Sequence, residues 1–485
     1  MRREGPVTDW RRLDPRMIVV APVHALIRLV PLLLIVLVTG RSGDPTRVWI
    51  SLGIAGLVVV GGLIRWRTTR YRITPERVEL HSGWIRRQRR SVPRDRIRTV
   101  DLTATLLHRA FRLNVVVVRA AEHGGEHSGL NLDAVSGAEA ELLRRELLRH
   151  SAAPSEDPAE PQPEPGPTEL ARLDWRWLRF APLTFSSLAG FGAIAAAAFN
   201  LLLELGVTPR ELGGAAFRLL NGTGWTLLVV SALLLAVIGS SALFVARWWG
   251  YRLTREPDGT LRVRRGLFTS RSLSVAEDRI RGVGVHEPLL LRAGRGAQTR
   301  ALAAGLGRER QGGVLQPPVP RAEAHRVAGV ALQAPDPTRT ALTAHPHAAL
   351  RRRFTRALGP AAGVVAAAIL LGVLDPTRAW IWPWTPVLLP LAALLALDRY
   401  RALGHTLTEH HLVSRLGGFS RRTTALQRNG IIGWRVRQSL FQRRAGVVTL
   451  EAVTAAGEGG YEILDIAPAT AAGLIDAVGS RTGSG

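Results

Sequence analysis

The side chains able to carry chemistry fall into a few local groups, and most of them lead nowhere. His123 and His127, in the run Glu-His-Gly-Gly-Glu-His, have the spacing of a metal-ligand pair. They stand in a glycine-rich turn with no further convergent ligands, and a metal site takes three or four in a fixed geometry. Glu409, His410 and His411 open an expected strand, where alternation sends neighbours to opposite faces. His345 and His347 flank Pro346 in a linker. Gly294-x-Gly296 and Gly305-x-Gly307 lack the strand–turn–helix setting of a phosphate-binding loop. No HExxH, P-loop or G-x-S-x-G motif occurs, so no reaction class is indicated and no cofactor or metal is expected. The absence of cysteine excludes disulfides, thiolate metal sites and a thiol nucleophile.

Arginine is different. Arg86, Arg87, Arg89 and Arg90 cluster in one stretch, followed by Arg94, Arg96 and Arg98. Arg262, Arg264, Arg265 and Arg271 form a second cluster, and Arg421, Arg422 and Arg428 a third. Guanidinium forks match phosphate oxygens two bonds at a time. Each such cation near an anionic lipid surface contributes about 1 kcal/mol. The net charge of +26 is all arginine, lysine being absent. Single-stranded nucleic acid would call for aromatics interleaved with the cations. The aromatics here gather instead at the ends of apolar runs, so nucleic-acid binding is not expected.

The elements that must position these arginines recur three times. Gly83, Ile97 and Arg109 stand 14 and 12 residues apart, as do Gly266, Ile280 and Arg292, and again Gly417, Ile431 and Arg443. In the third copy the doublets Gly417-Gly418, Ile431-Ile432 and Arg443-Arg444 leave the register open by one residue. Tyr71-Arg-Ile-Thr and Tyr251-Arg-Leu-Thr open the first two copies, and Gly404-His-Thr-Leu-Thr the third. Each copy follows a pair of apolar segments and reads as short strands broken by turns. A capping box at Ser136 and Glu139 starts a helix with Leu142, Leu143, Leu147 and Leu148 on one side. The tract Gly294–Gly313 stands where the first copy has a strand, so the second copy is expected to be degenerate, with a long loop.

Apolar runs at about 18–39 and 48–64, 178–205 and 225–246, and 358–374 and 380–397 predict six spans in three hairpins. Arginines at both ends of the first hairpin put the modules and both termini on the cytoplasmic side of the plasma (inner) membrane. The expected layout is an N-terminal segment and hairpin over 1–66, module one over 67–150 and an acidic proline-rich linker over 151–174. Hairpin two follows over 175–249, module two over 250–335 and a basic linker over 336–357. Hairpin three covers 358–397 and module three 398–485.

An apolar hairpin followed by Tyr-Arg-apolar-Thr, a glycine with a basic strand, Ile-x-x-Val and Arg-Ala resembles the bacterial pleckstrin-homology-like, membrane-flanked domain family, and its three-module members most. That resemblance implies an α+β membrane protein in which each hairpin precedes a PH-like β-barrel or sandwich with a C-terminal capping helix. It implies no catalytic residues, and it implies self-association.

Two functions fit. One is a non-enzymatic, membrane-anchored scaffold whose modules meet anionic lipid headgroups, a membrane-protein partner or another copy, with envelope stress or resistance as a process. The other is a transporter-like or lipid-handling protein using the six helices as a pathway. Its support is the intramembrane pair His24 and Arg28, four apart on one helix face, with Asn200 and Glu204 near the end of the third run. Arg28 is close enough to the cytoplasmic end to snorkel, and the spans hold few other polar groups, so the scaffold is preferred.

Overall fold

The computed structural model describes residues 10–18, 45–83, 87–94, 97–120, 129–149, 166–184, 224–303, 313–375 and 382–479, with isolated positions at 20, 23, 200, 203 and 306. In the first module β1 (Arg11–Arg12) and α1 (Pro45–Thr68) precede β2 (Arg70–Ile73), β3 (Arg77–Ser82) and β4 (Gln88–Pro93). Then come β5 (Ile97–Thr105), α2 (Leu106–Ala110), β6 (Leu113–Ala120), β7 (Gly129–Ser136) and α3 (Gly137–Arg149). The second module runs β8 (Thr168–Arg172), α4 (Gly224–Trp248), β9 (Arg252–Arg255), β10 (Thr260–Arg265) and β11 (Thr269–Ala276). It continues with β12 (Ile280–Pro288), α5 (Leu289–Ala293), β13 (Gly296–Ala303), β14 (Val319–Pro320) and α6 (Arg321–Leu332). The third has α7 (His347–Leu374), α8 (Leu388–Arg401), β15 (Gly404–Leu407), β16 (His411–Leu416), β17 (Ser420–Gln427) and β18 (Gly433–Arg437). It closes with α9 (Leu440–Arg444), β19 (Val448–Val453), β20 (Gly460–Ile466) and α10 (Pro468–Gly479).

Each module thus has two meanders, split after its third main strand. In module one they face each other across a core. Tyr71, Val78, Leu80 and Val92 come from the first meander, and Val100, Val116, Val118, Leu130 and Leu132 from the second. Alternation puts these residues on the inner faces. Ala140, Leu143 and Leu147 of α3 close one end, with Ser136 Oγ accepting from Glu139 N at 3.3 Å. Leu142 does not join them; it is exposed, and Arg144 is buried in that stretch, paired with Glu141 at 2.9 Å.

The meanders of consecutive modules share sheets. Contact clustering divides the chain into two units, residues 1–172 with 246–279, and residues 173–245 with 280–485. In the first unit a seven-stranded sheet runs β7-β6-β5-β11-β10-β9-β8, joining the second meander of module one to the first of module two. In the second unit a six-stranded sheet, β14-β13-β12-β17-β16-β15, joins modules two and three in the same way. The joints are the antiparallel pairs β5–β11, from Thr99↔Val275 to Thr105↔Thr269, and β12–β17, from Gly282↔Leu426 to Pro288↔Ser420. The outer meanders form a four-stranded sheet, β1-β2-β3-β4, and a three-stranded one, β18-β19-β20.

Two expectations are corrected here. Six membrane-crossing helices in three hairpins do not appear: among the described residues one helix, α7, is long and apolar enough to cross a membrane. α4 is 25 residues long, but the side chains of its first turns lie outside the described residues, and its described apolar stretch is Leu233–Trp248. The run 380–397 is broken, because Trp382–Val387 is a 3-10 helix containing Pro383 and Pro386 and α8 has only 14 residues. The run 48–64 lies within α1, many of whose side chains are outside the described residues, as are nearly all of 18–39 and most of 178–205, with His24, Arg28 and Glu204. The tract at 294–313 does not lose its strand either: β13 is eight residues long and mostly buried. Glycine at 296 is required, since a Cβ there would come within 2.6 Å of Leu291 and 2.8 Å of Phe180.

The start of α7 is pinned to the last meander by Asp465. This residue is 1% exposed and has φ 56°, the left-handed region that Asp tolerates better than most. Its carboxylate pairs with Arg352 and, at 3.0 Å, with Arg353, and accepts from Gln442 Nε2 at 2.9 Å. Ala134, with φ 60°, lies at the matching end of β7, where its carbonyl takes Asp14 N at 3.2 Å.

Asp465→Ala leaves two buried guanidiniums without their carboxylate and should cost about 3–5 kcal/mol. Asp465→Asn, which keeps the turn conformation and an acceptor, should cost distinctly less. Denaturant unfolding of the two variants checks the order. The second unit also holds neutral buried histidines. Burial, then the charges of Arg422 and Arg300, pushes His286 down to about 3. Burial leads again for His325 and His345, both pushed to about 4. The unfolded chain takes up these protons near pH 6.5 and the folded chain does not, so stability present above pH 6.5 falls as pH drops toward 4. Hydrogen exchange in β12 and α6 should quicken at pH 5 relative to pH 7.5 after correction for intrinsic rates. Unchanged protection would contradict the assignment.

Candidate functional site

The first unit carries a groove of about 570 Å³ beside the β5–β11 joint. Six arginines and one carboxylate line it: Arg109 from α2, Arg252 from β9, Arg262, Arg264 and Arg265 from β10, Arg271 from β11, and Glu141 from α3. Strand pairing brings them together. Arg264 lies opposite Arg252 on one side and Ser272 on the other, and Arg265 lies opposite Arg271. Leu102 and Trp249 supply apolar wall.

The lone carboxylate is already engaged. Arg262 grips Glu141 with both terminal nitrogens, at 3.0 and 2.8 Å, and Arg144 adds two more bonds at 3.1 and 2.9 Å. Burial pulls the Glu141 carboxyl upward, but Arg144 and Arg262 outweigh it and hold the group below its ordinary range. Arg265 lies 4.2 Å from the Trp248 ring centroid, a cation–π contact. Burial, helped by the charges of Arg271 and Arg247, pushes it down to about 10, still cationic at neutral pH. Arg252 and Arg264 are exposed and have no carboxylate within ion-pair distance among the described residues.

The repeat signature builds the rim. Gly266 has φ +112°, and a Cβ there would fall 2.0 Å from Thr269 O. Its amide bonds Trp249 O at 2.9 Å, and the turn presents Leu267 O to Arg109 Nη1 at 2.8 Å. Gly83 and Gly417 have the same handedness, at +104° and +134°. The left-handed residue of the third copy is therefore Gly417 and not its neighbour. The turn leaves Phe268 56% exposed, beside Trp249 at 45%. Tyr71 and Tyr251, with Ile97 and Ile280, are core residues; Tyr71 also donates to Glu139 at 2.8 Å, while Ile431 is half-buried and Arg443 exposed.

The corresponding place in the second unit has different electrostatics. Arg292, at the position of Arg109, pairs with Asp398 at 2.7 Å. Arg421 lies opposite Glu287, which also meets Arg321 at 2.9 Å; in the first unit that cross-strand pair is Ser270 and Ala104. Arg422 pairs with Glu458 at 2.8 Å. Carboxylates here thus pair with Arg292 and Arg422, the counterparts of Arg109 and Arg271.

Of the arginines singled out by sequence, Arg262, Arg264, Arg265 and Arg271 meet in the groove with the signature residue Arg109. Arg87, Arg89 and Arg90 do not; they are exposed on and before β4, and Arg86 lies outside the described residues. Arg252 and Glu141 were not picked out. The arginine of the Tyr-Arg-apolar-Thr lead-in carried the signal for Arg252, since pairing of the first two strands of a meander sets it beside Arg264. Nothing local marked Glu141, whose partner lies 121 residues away. His410 and His411 point apart, their ring centroids 6.4 Å from each other, and no group of three or more metal-type ligands occurs among the described residues.

The family model for the bacterial PH domain matches residues 21–151, 200–334 and 354–480. The transmembrane protein YdbT of Bacillus subtilis (strain 168), of the UPF0699 group, is 22% identical over 478 residues, covering 92% of each chain. No solved structure matches the chain.

Gly266→Ala should cost about 1–3 kcal/mol, the usual penalty of a strained left-handed residue with a close backbone contact. Because the turn sets the rim, the same variant should release Arg109 from Leu267 O. Thermal unfolding reads the first effect, and faster exchange of the Leu267 and Phe268 amides reads the second.

Proposed function

The chain belongs to the bacterial PH domain family, and from that premise we propose that it is a membrane-anchored, non-enzymatic binding protein whose first-unit groove takes the phosphate of an anionic lipid headgroup. The observation that carries this reading is the contrast between the two units. One carboxylate, Glu141, lines the first groove beside six arginines. In the second unit Asp398 and Glu458 pair with Arg292 and Arg422, the counterparts of Arg109 and Arg271, and Glu287 lies opposite Arg421. Like charges held together in a partly dry groove repel, and a phosphate relieves that repulsion while accepting forked bonds.

Two features favour a lipid over a free phosphate. Trp249 directly follows the apolar helix α4, and it is exposed together with Phe268, the arrangement of side chains that settle at headgroup level. The named relative is a transmembrane protein, and α7 offers a span in this chain. The arginine excess on the modules favours the cytoplasmic face, where anionic lipids attract basic surfaces. A scaffold of this kind needs no catalytic constellation, and PH-like domains generally act by binding lipids or proteins.

The test uses the full chain in neutral detergent, titrated with dihexanoyl phosphatidylglycerol, dihexanoyl phosphatidylcholine or glycerol phosphate and followed by intrinsic tryptophan fluorescence. Phosphatidylglycerol should bind most tightly. Arg264→Glu should weaken it by at least about fivefold, the equivalent of losing one cation at ~1 kcal/mol, and Arg264→Glu with Arg271→Glu by more. Equal affinity for the zwitterionic lipid, or indifference to both charge reversals, overturns the proposal. Equal affinity for glycerol phosphate moves the ligand from lipid to soluble phosphate.

A further inference from the structure

The two internal joints obey one rule of register. At each, the residue two after the signature isoleucine faces the residue nine after the next module's signature glycine: Thr99 opposite Val275, and Gly282 opposite Leu426. At the other end, the residue eight after the isoleucine faces the one three after the glycine: Thr105 opposite Thr269, and Pro288 opposite Ser420. Two strands of the same kinds lie at sheet edges. β4 ends the four-stranded sheet and β18 the three-stranded one, and no strand pairs with their outer edges among the described residues. β4 is a last strand of a first meander, like β11 and β17. β18 is a first strand of a second meander, like β5 and β12.

We propose that β18 of one copy pairs with β4 of a second copy, extending the internal rule between chains and assembling them head to tail. The rule sets the register without adjustment: Gly433 opposite Val92, Val436 opposite Arg89, Arg437 opposite Gln88. Burial supports it. Leu102 and Val285 hold the Val436 position at the internal joints and are 7% and 0% exposed, whereas Val436 is 54% exposed. Ser272 and Thr423 are buried where Arg89 of β4 is exposed. The short helix after each first strand tells the same story. At the internal joints it meets the next module's glycine turn, through Arg109 to Leu267 O and Leu289 N to Phe419 O. α9 lacks such a turn among the described residues, and Phe441 stands 70% exposed where its counterparts Leu107 and Leu290 are half-buried.

An open edge of this kind recruits another strand unless it is blunted. Both edges carry arginines, and Arg435 would face Arg90. Glu451 offsets that repulsion on one side, pairing with Arg437 at 2.6 Å and Arg435 at 3.4 Å. The contact is heterologous, so it closes into a ring or continues as a filament according to the rotation at each step.

The chain contains no cysteine, which makes crosslinking clean. Full-length Arg89→Cys and Val436→Cys proteins, extracted in mild detergent, are mixed and oxidised with copper phenanthroline. A disulfide-linked dimer is expected from the mixture, and a ladder of higher species from the double variant. The pair Gln88→Cys with Arg437→Cys should also link, since one of two adjacent pairs is the close, non-hydrogen-bonded kind. A slipped pair, Arg90→Cys with Val436→Cys, should link at least about tenfold less, because a one-residue slip sends the side chains to opposite faces. All five positions are exposed, so the variants should fold. Failure of both in-register pairs, equal yield from the slipped pair, or a disulfide formed only within single chains overturns the proposal.

Discussion

The structure depends on the unmet backbone groups of β5 and β12. Each opens a meander with its outer edge unpaired by anything in its own module, and a buried row of free N–H and C=O groups would cost far more than a folded domain can spare. The next module's β11 and β17 satisfy them. From this follow the seven- and six-stranded sheets, the division of the chain through the middle of module two, and the placement of Arg109 against the turn at Gly266. Side-chain packing works at a different level. In module one the two meanders face each other across a core, and in module three β16 and β17 meet β19 and β20 across another, which Leu302 of β13 joins.

The groove is a by-product of that joint. Arg109 belongs to one module and Arg264, Arg265 and Arg271 to the next, so neither module alone assembles the cluster. The second joint pairs in the same register but carries carboxylates, with Glu287 at the place of Ala104 and Asp398 on the counterpart of Arg109. Few residues separate a cationic groove from an internally paired one on the same frame.

Much of this was legible in the sequence. The Gly–Ile–Arg intervals identified the modules, and their positions carry the φ of Gly83, Gly266 and Gly417 and the burial of Ile97 and Ile280. The joints were not legible, because in a tandem repeat a strand is equally suited to its own module or the neighbouring one, and composition cannot decide between them. Arg264 and Arg271 were visible as a cluster; Glu141 was not, since its role comes from a partner in another module. The spans were misjudged where apolar content hid backbone breaks, as at Pro383 and Pro386. The strand at 296–303 was missed because glycine and alanine there mark close packing against Phe180 and Leu291, which looks like a loop when only one chain segment is in view.

The shared sheets also order events on the ribosome. β5 is finished well before its partner: roughly 160 residues separate Thr105 from Thr269, about 10–30 s of synthesis at usual rates. During that interval the edge of β5 is exposed in the nascent chain, and the same holds for β12 until β17 emerges. An apolar helix, α4 or α7, is made within each of these intervals. Synthesis of these helices and closure of the shared sheets are therefore interleaved, and the edges left open by modules one and two are closed only by the arrival of the next module.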